Sequence, residues 1–354
     1  MAISGQYVKF HVHSDLSNGV TNIDSVTKYG DYIKKAKECG MKAFGFSEHG
    51  SLFEWWHKKC EIEAAGMKYL HAVEAYLTAN LDEKVRDNYH CVLIARNYEG
   101  FLELNRLVSR SFSRKDNHFY YVPRISFEGL FGTTDNIIIT TACIGGVLGK
   151  ADELVQSQFI NFLQKNKHRC FLEIGHHLDD RQVAYNRHLL GISNKTGIPL
   201  IAGTDTHVLN SEHEMGRSIL QVSKNILFDG EEKWDLKFKT FDELVSSYAK
   251  QNSIEDPRKC RVITCAKPLR VDMEPKHQCR GNDRMMNDIL WEKELCSTCA
   301  DLLESFMENS SDTPEPSPDP EPTPDPEPNP DPEPAEGNTD EPDGGSDDNG
   351  GVEP

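Results

Sequence analysis

His11 and His13 stand two apart in the segment YVKFHVHS, and Asp15 follows at the same interval. In an extended strand, alternate residues share a face, so this spacing aims several metal-binding or acid–base groups in one direction. Further donors close or open other strand-like segments. Glu48 and His49 end MKAFGFSEH, Glu74 lies in KYLHAVEAYLT, and His90 opens YHCVLIAR. Cys143 comes just before a Gly-Gly turn, Glu173 is followed by His176 and His177, and Asp205 and His207 close IPLIAGTDTH. Each has a plain structural reading taken alone: a hydrogen-bonded core histidine, a small buried thiol, or a helix cap at Asp15. Taken together these readings fail, because burying several carboxylates side by side is costly without compensating positive charge. Metal supplies that charge. Nine donors (His11, His13, Asp15, His49, Glu74, His90, Cys143, Asp205 and His207) are too many for one tetrahedral ion and suit two or three ions sharing a bridge. Imidazole, carboxylate and one thiolate favour Zn, Mn or Fe over Mg. Such a centre attracts phosphate.

The elements that must position these groups are legible as an alternation. Strand candidates cover residues 7–14, 41–49, 68–78, 89–96, 136–146, 169–175 and 198–207, and amphipathic stretches separate them. Seven strands with helical crossovers predict an α/β fold with a parallel sheet, more readily closed as a barrel than left as an open doubly wound sheet. In a parallel barrel the strand ends converge on one mouth, which is where the donors would gather. Ile23 to Cys39 has helical apolar spacing and a Gly40 stop, and Leu154–Leu163 and Asp180–Lys195 read likewise. Over residues 99–114, Arg106, Arg110 and Arg114 form a stripe at i, i+4 and i+8. That stripe is either a solvated helix face or a contact for a phosphate backbone.

The expected organisation is a barrel over residues 1–210, a helix and strand–helix extension over 211–250, a cysteine-containing extension over 251–310 and a tail over 311–354. Cys260, Cys265, Cys279, Cys296 and Cys299, with His277, could hold a structural Zn, although their spacing fits no strict knuckle pair and scattered reduced thiols fit better. The tail has 15 Asp or Glu, no Lys or Arg, and 13 of the 18 Pro. Its PEPSPDPEP repeat predicts an extended polyproline spacer followed by disorder. Most of the formal charge of −18 resides there, so bulk charge does not make the chain a nucleic-acid binder, while a local basic surface remains compatible. No apolar run reaches membrane-spanning length, and the first residues lack a secretory pattern. With ten Cys and no such signal, reduced thiols and a cytoplasmic location are expected.

The series HVHSD, SEHG, VEAYLT, HCVLIA, TACIGG and AGTDTH resembles the PHP (polymerase and histidinol phosphatase) family. HCVLIARNYEGFLELNRLVSRS, ITTACIGGVL, CFLEIGHH and PLIAGTDTHVLNSE resemble its polymerase branch, the N-terminal PHP domain of bacterial C-family DNA polymerases (DNA polymerase III alpha subunit). The resemblance covers about residues 5–250. It implies a distorted (β/α)7 TIM-like barrel with a trinuclear metal centre. It implies that His11, His13, Glu74 and Asp205 serve one ion, that Glu74 bridges to a second held by His90 and Cys143, and that Asp15, His49 and His207 serve a third. Glu48 stands where family members often have Asp. Nothing after Lys250 resembles a polymerase palm, so polymerisation is not expected of this chain alone.

The expectation is a metal-dependent phosphoesterase acting on DNA or nucleotides, as a 3′–5′ exonuclease in replication, with two to three divalent ions as cofactor. His90, His207 or a metal-bound water would protonate the leaving group, and Arg106, Arg110 and Arg114 would track the substrate. The alternatives are a non-catalytic module that docks a separate polymerase chain or replisome subunit, and a phosphomonoesterase of the histidinol phosphate type.

Overall fold

The computed structural model describes residues 8–226 and 234–253, apart from 83 and 85. The cysteines from Cys260 to Cys299, His277 and the acidic tail lie outside the described residues.

A 3₁₀ turn, Asp15–Gly19, precedes α1 (Tyr29–Glu38), β1 (Ala43–Phe46), α2 (Trp55–Ala64), β2 (Lys68–Thr78) and β3 (Tyr89–Ala95). Next come α3 (Tyr98–Ser111), β4 (Phe119–Tyr120), β5 (Val122–Ser126), α4 (Phe127–Phe131), β6 (Ile137–Thr140) and α5 (Val147–Lys150). The series ends with α6 (Glu153–Lys165), β7 (Cys170–Ile174), α7 (Asp180–Thr196), β8 (Leu200–Ala202), α8 (Ser211–Ser223) and α9 (Phe241–Gln251). The main path through the sheet is β1-β2-β3-β6-β7-β8, with β5 beside the last residues of β2 and β4 paired to β5.

The segment 8–13 closes this path into a distorted barrel. It bridges β1 through Lys9 and Phe44 and bridges the residues after β8 through Val12 and Thr206. Gly45 N donates to Lys9 O at 3.0 Å and His13 N to Thr206 O at 2.8 Å. The first described extended segment therefore lies between β1 and the residues that follow β8.

The sheet is not wholly parallel, which corrects the sequence expectation. β3 runs antiparallel to both β2 and β6, while β1–β2, β6–β7 and β7–β8 are parallel. The reason is the short connection 79–88, whose described residues form no helix; a parallel crossover needs a dozen or more residues. The reversal brings the start of β3, where His90 sits, to the same mouth as the ends of the parallel strands.

Central strands buried on both faces read as continuous apolar runs. Cys91 to Ala95 and Ile137 to Ile139 are essentially inaccessible, α3 packs on both strands, and Tyr32, Leu104, Phe159, Leu163 and Leu189 are buried in the same core. Local chemistry fixes the helix starts: Asn97 caps α3, Asp152 caps α6, and Thr240 with Glu243 forms a capping box on α9. Leu244, Val245 and Tyr248 of α9 join the same core, and the Tyr248 hydroxyl donates to Ile174 O at 2.8 Å.

Two further differences from the sequence reading have local causes. The helix expected from Ile23 begins at Tyr29, because polar side chains hold residues 23–27 elsewhere. Asn18 Oδ1 accepts from the amides of Asp24 and Ser25, and the Ser25 hydroxyl donates to His207 O at 2.5 Å. Residues 119–131, to which the sequence reading assigned no element, form the β4–β5 pair and α4, with Ser126 capping the helix. Among the described residues, no helix is long and apolar enough to cross a membrane.

Candidate metal centre

The barrel closure builds the site. His11 and His13 sit in the closing segment on either side of the Val12–Thr206 bridge, which sets them beside Asp205 and His207. A second bridge pairs His49 with Glu74, and a third pairs His90 with Gly146, next to the Cys143 turn. The result is four overlapping groups: His11–His13–Asp205, His13–His49–Glu74, Asp24–His49–His207 and Glu74–His90–Cys143, with the donor atoms of each group within 4.8 Å of one another.

The shared members join the groups. Glu74 Oε1 lies 3.2 Å from His11 Nε2 and 3.1 Å from His90 Nδ1, and its Oε2 lies 3.0 Å from His49 Nδ1 and 3.5 Å from His13 Nε2. Asp205 Oδ1 lies 3.0–3.4 Å from His11, His13 and His207. Asp24 Oδ2 lies 2.9 Å from His207 Nδ1 and 3.3 Å from His49 Nε2. Cys143 Sγ is 3.4 Å from His90 Nδ1.

Backbone conformations at the site are unusual. Asp205 itself, Ala142 beside Cys143 and Ile23 beside Asp24 all have positive φ, at 40°, 54° and 40°. Such conformations cost on the order of 1–3 kcal/mol each and persist where the surroundings over-determine them. Gly145 allows close approach: a Cβ there would lie 3.2 Å from His90 Nδ1 and 3.3 Å from Cys143 Sγ and would press on both side chains.

The electrostatics are those of a cation-seeking cluster. Burial would raise the carboxyls of Asp24, Glu74 and Asp205, but the surrounding histidines hold all three well below their usual range. Burial likewise opposes charging His207, yet Asp24 and Asp205 outweigh it and raise the ring to about 9. His13 falls to about 4, through burial and then the neighbouring His49 and His207. Burial, followed by the charges of Asp205 and Glu74, pushes the Cys143 thiol well up, so a thiolate there requires positive charge nearby.

The residues fit divalent metal. His11 Nε2, His13 Nε2, His49 Nδ1 and Glu74 Oε2 are buried without a hydrogen-bond partner. Buried polar atoms are rarely left in that state, and all four turn toward the shared centre. The mix of imidazole, carboxylate and one thiol suits Zn, Mn or Fe.

The structure thus brings together His11, His13, His49, Glu74, His90, Cys143, Asp205 and His207, but not Asp15. The Asp15 carboxylate pairs with Lys28 on the outer side of the 3₁₀ turn. Asp24, which sequence reasoning assigned to a helix, joins His49 and His207 in its place. Its only sequence signal is the polar run TNIDS (21–25) inside an otherwise amphipathic pattern. Glu48 is buried in an ion pair with Lys58 at 2.6 Å and accepts from Ser14 and Ser17. His176 and His177 are buried after β7 and sit against Tyr248 and Trp234.

A cavity of about 460 Å³ opens over the cluster. Asp24, His49, His90, Cys143, Asp205 and His207 form its floor, with Tyr76, Ile144 and Trp234 as apolar wall and Lys150 and Arg181 as cations. Arg106, Arg110 and Arg114 do not line it. Helix α3 ends at Ser111, so Arg114 falls beyond the stripe and lies over the Phe119 ring, while Arg110 is 3.9 Å from Asp116.

A family model described as PHP domain matches residues 9–181. DNA polymerase III subunit alpha of Borreliella burgdorferi is 32% identical over 231 residues, which is 62% of this chain and 20% of that protein. The same subunit of Aquifex aeolicus is 32% identical over 248 residues, or 63% of this chain and 20% of the relative. The chain therefore spans about a fifth of the length of the curated relatives it matches. Among solved structures, a candidate metal-dependent phosphoesterase from Bifidobacterium adolescentis aligns over 56% of this chain and 87% of its own, at 13% identity and a TM-score of 0.36. An amidohydrolase from Chromobacterium violaceum aligns over 58% and 89%, at 15% identity and a TM-score of 0.37.

Proposed function

From the premise that this chain belongs to the PHP domain family through residues 9–181, we propose that it is a metal-dependent phosphoesterase that hydrolyses phosphodiesters of DNA from the 3′ end. The observation that carries this reading is the set of overlapping donor groups beneath a cavity whose cations face the same space.

His11, His13, Glu74 and Asp205 would hold one ion, Glu74 with His90 and Cys143 a second, and Asp24 with His49 and His207 a third. Bound divalent ions supply Lewis acidity and an activated water. The protein does the rest. Lys150 and Arg181 would orient the phosphate, and Tyr76, Ile144 and Trp234 would exclude bulk water, which strengthens every charge interaction inside. His207 is engaged at both ring nitrogens by Asp24 and Asp205. His90 is engaged at Nδ1 by Glu74 and Cys143 and is more exposed; with both rings given to ions, a water in the cavity would supply the proton to the leaving oxygen. Arg106, Arg110 and Arg114 would meet backbone phosphates farther along the strand.

A second reading, a module of a polymerase assembly, draws on the similarity to polymerase alpha subunits and would make a polymerase chain the partner. A third is a phosphomonoesterase. One assay separates them: hydrolysis of a 5′-labelled single-stranded oligonucleotide against that of a simple phosphomonoester, with Mn²⁺ or Zn²⁺ present. The proposal expects stepwise shortening of the oligonucleotide and its loss in Asp205→Asn, a change that tolerates positive φ. Faster cleavage of the monoester would favour the third reading. Tight metal binding without cleavage of either would favour the second. Equal nuclease activity in Asp205→Asn would refute the proposal.

A further inference from the structure

Imidazole has two ring nitrogens, and a neutral ring offers a lone pair at only one of them. Which nitrogen faces a metal is therefore set by what the other one meets. For His11 that partner is Glu173. The Glu173 side chain is 3% exposed, and its Oε1 lies 2.5 Å from His11 Nδ1. An ionised carboxylate only accepts, so Nδ1 must carry the proton. The lone pair then falls to Nε2, which is 3.2 Å from both Glu74 Oε1 and Asp205 Oδ1 and has no hydrogen-bond partner.

Glu173 is itself held from several sides. The Thr140 hydroxyl donates to Oε2, and the Glu173 amide donates to Thr141 Oγ1 at 2.8 Å. The backbone at Gly203 closes over the carboxylate: a Cβ at that position would lie 1.7 Å from Glu173 Oε1. Thr140 and Thr141 lead directly into the turn in which Ala142 adopts positive φ and presents Cys143. One carboxylate thus ties the segment carrying His11 to the turn carrying Cys143, which belong to different donor groups.

We propose that Glu173 is a positioning residue that fixes His11 in the Nδ1-protonated tautomer and so selects Nε2 as the metal-facing atom. This rests on the metal reading above but not on the identity of the substrate. Partners of this kind are typically worth 10–100-fold in metal affinity.

The test uses zinc as the probe on the full chain, with affinity read by competition against a chromophoric chelator. Long-range ¹H–¹⁵N spectra of histidine-labelled, zinc-loaded protein report the His11 tautomer. Glu173→Ala should weaken zinc binding about 10–100-fold and abolish the Nδ1-protonated signature. Glu173→Gln, whose amide oxygen still accepts from Nδ1, should keep the signature and lose less affinity. A merely structural role would lower thermal stability in both variants without moving the tautomer. The proposal is overturned if Glu173→Ala binds zinc with wild-type affinity and an unchanged His11 spectrum. If wild-type protein binds zinc but cleaves no phosphodiester, only the proposed function falls. If it binds no zinc, both fall.

Discussion

Asp24 and Asp15 are nine residues apart, and only one of them reaches the cluster, which makes a paired substitution the sharpest check on the site. Asp24 is 6% exposed and contacts two buried histidines, His207 at 2.9 Å and His49 at 3.3 Å. Removing one member of a buried charge pair leaves the other uncompensated and costs about 3–5 kcal/mol. Asp15 pairs with Lys28, whose side chain is 72% exposed, and exposed pairs contribute about 0–1 kcal/mol. For a folded unit of this size, 1 kcal/mol moves Tm by about 2–4 °C. Asp24→Ala in chelator-treated protein should therefore lower Tm by about 6–20 °C, and Asp15→Ala by less than about 4 °C. Elemental analysis after metal loading should show one ion equivalent fewer in Asp24→Ala and none fewer in Asp15→Ala. Equal effects of the two changes, or a larger effect at Asp15, would refute the assignment of Asp24 to the third donor group.

Two further predictions follow from packing and burial. Gly203→Ala should destabilise by about 1–3 kcal/mol, because its methyl group meets the Glu173 carboxylate; urea denaturation should show the cost shrinking in a Glu173→Ala background, where the two changes couple. His71 is buried against Tyr69 and Asn105, and burial depresses it to about 3. Since the unfolded ring binds its proton first, this stability is complete above about pH 6.5 and is lost as pH falls toward the folded value, by about 2 kcal/mol at pH 5. Replacing His71 with Phe should flatten that acid limb; an unchanged pH profile would count against burial as the cause.

The legible part of the molecule was the part governed by short periods. The two-residue interval of His11 and His13 places that pair on one side of an extended backbone even where the ladder is reduced to single bridges, whereas Asp205 and His207 reach the same cluster through a backbone with positive φ at Asp205. The apolar runs of β2, β3 and β6 announced central strands because both faces are covered. What stayed hidden depended on tertiary contacts. The reversal of β3 is the exception: it follows from a connection too short for a crossover, and the gap between the strand candidates 68–78 and 89–96 already carried that signal. Asp24 was masked by an apolar spacing from Ile23 to Ala36 that suits a helix equally well, and only hydrogen bonds from Asn18 and Ser25 show why the first turn never forms. Glu173 could be seen as a strand carboxylate, but its role depends on His11, which is far away in the chain.

The closing of the barrel also has a consequence for biosynthesis. Thr204 donates to His11 O across 193 residues of chain, so the opening segment must wait for its neighbour until nearly the whole described region has left the ribosome. At about 5–20 residues per second that interval is about 10–40 s. Within it, His13, His49 and Glu74, which form one donor group, emerge before Asp205 and His207; an ion taken up by that group would arrive ahead of barrel closure. Metal supply during translation would then influence the yield of folded protein as well as the activity of the finished one.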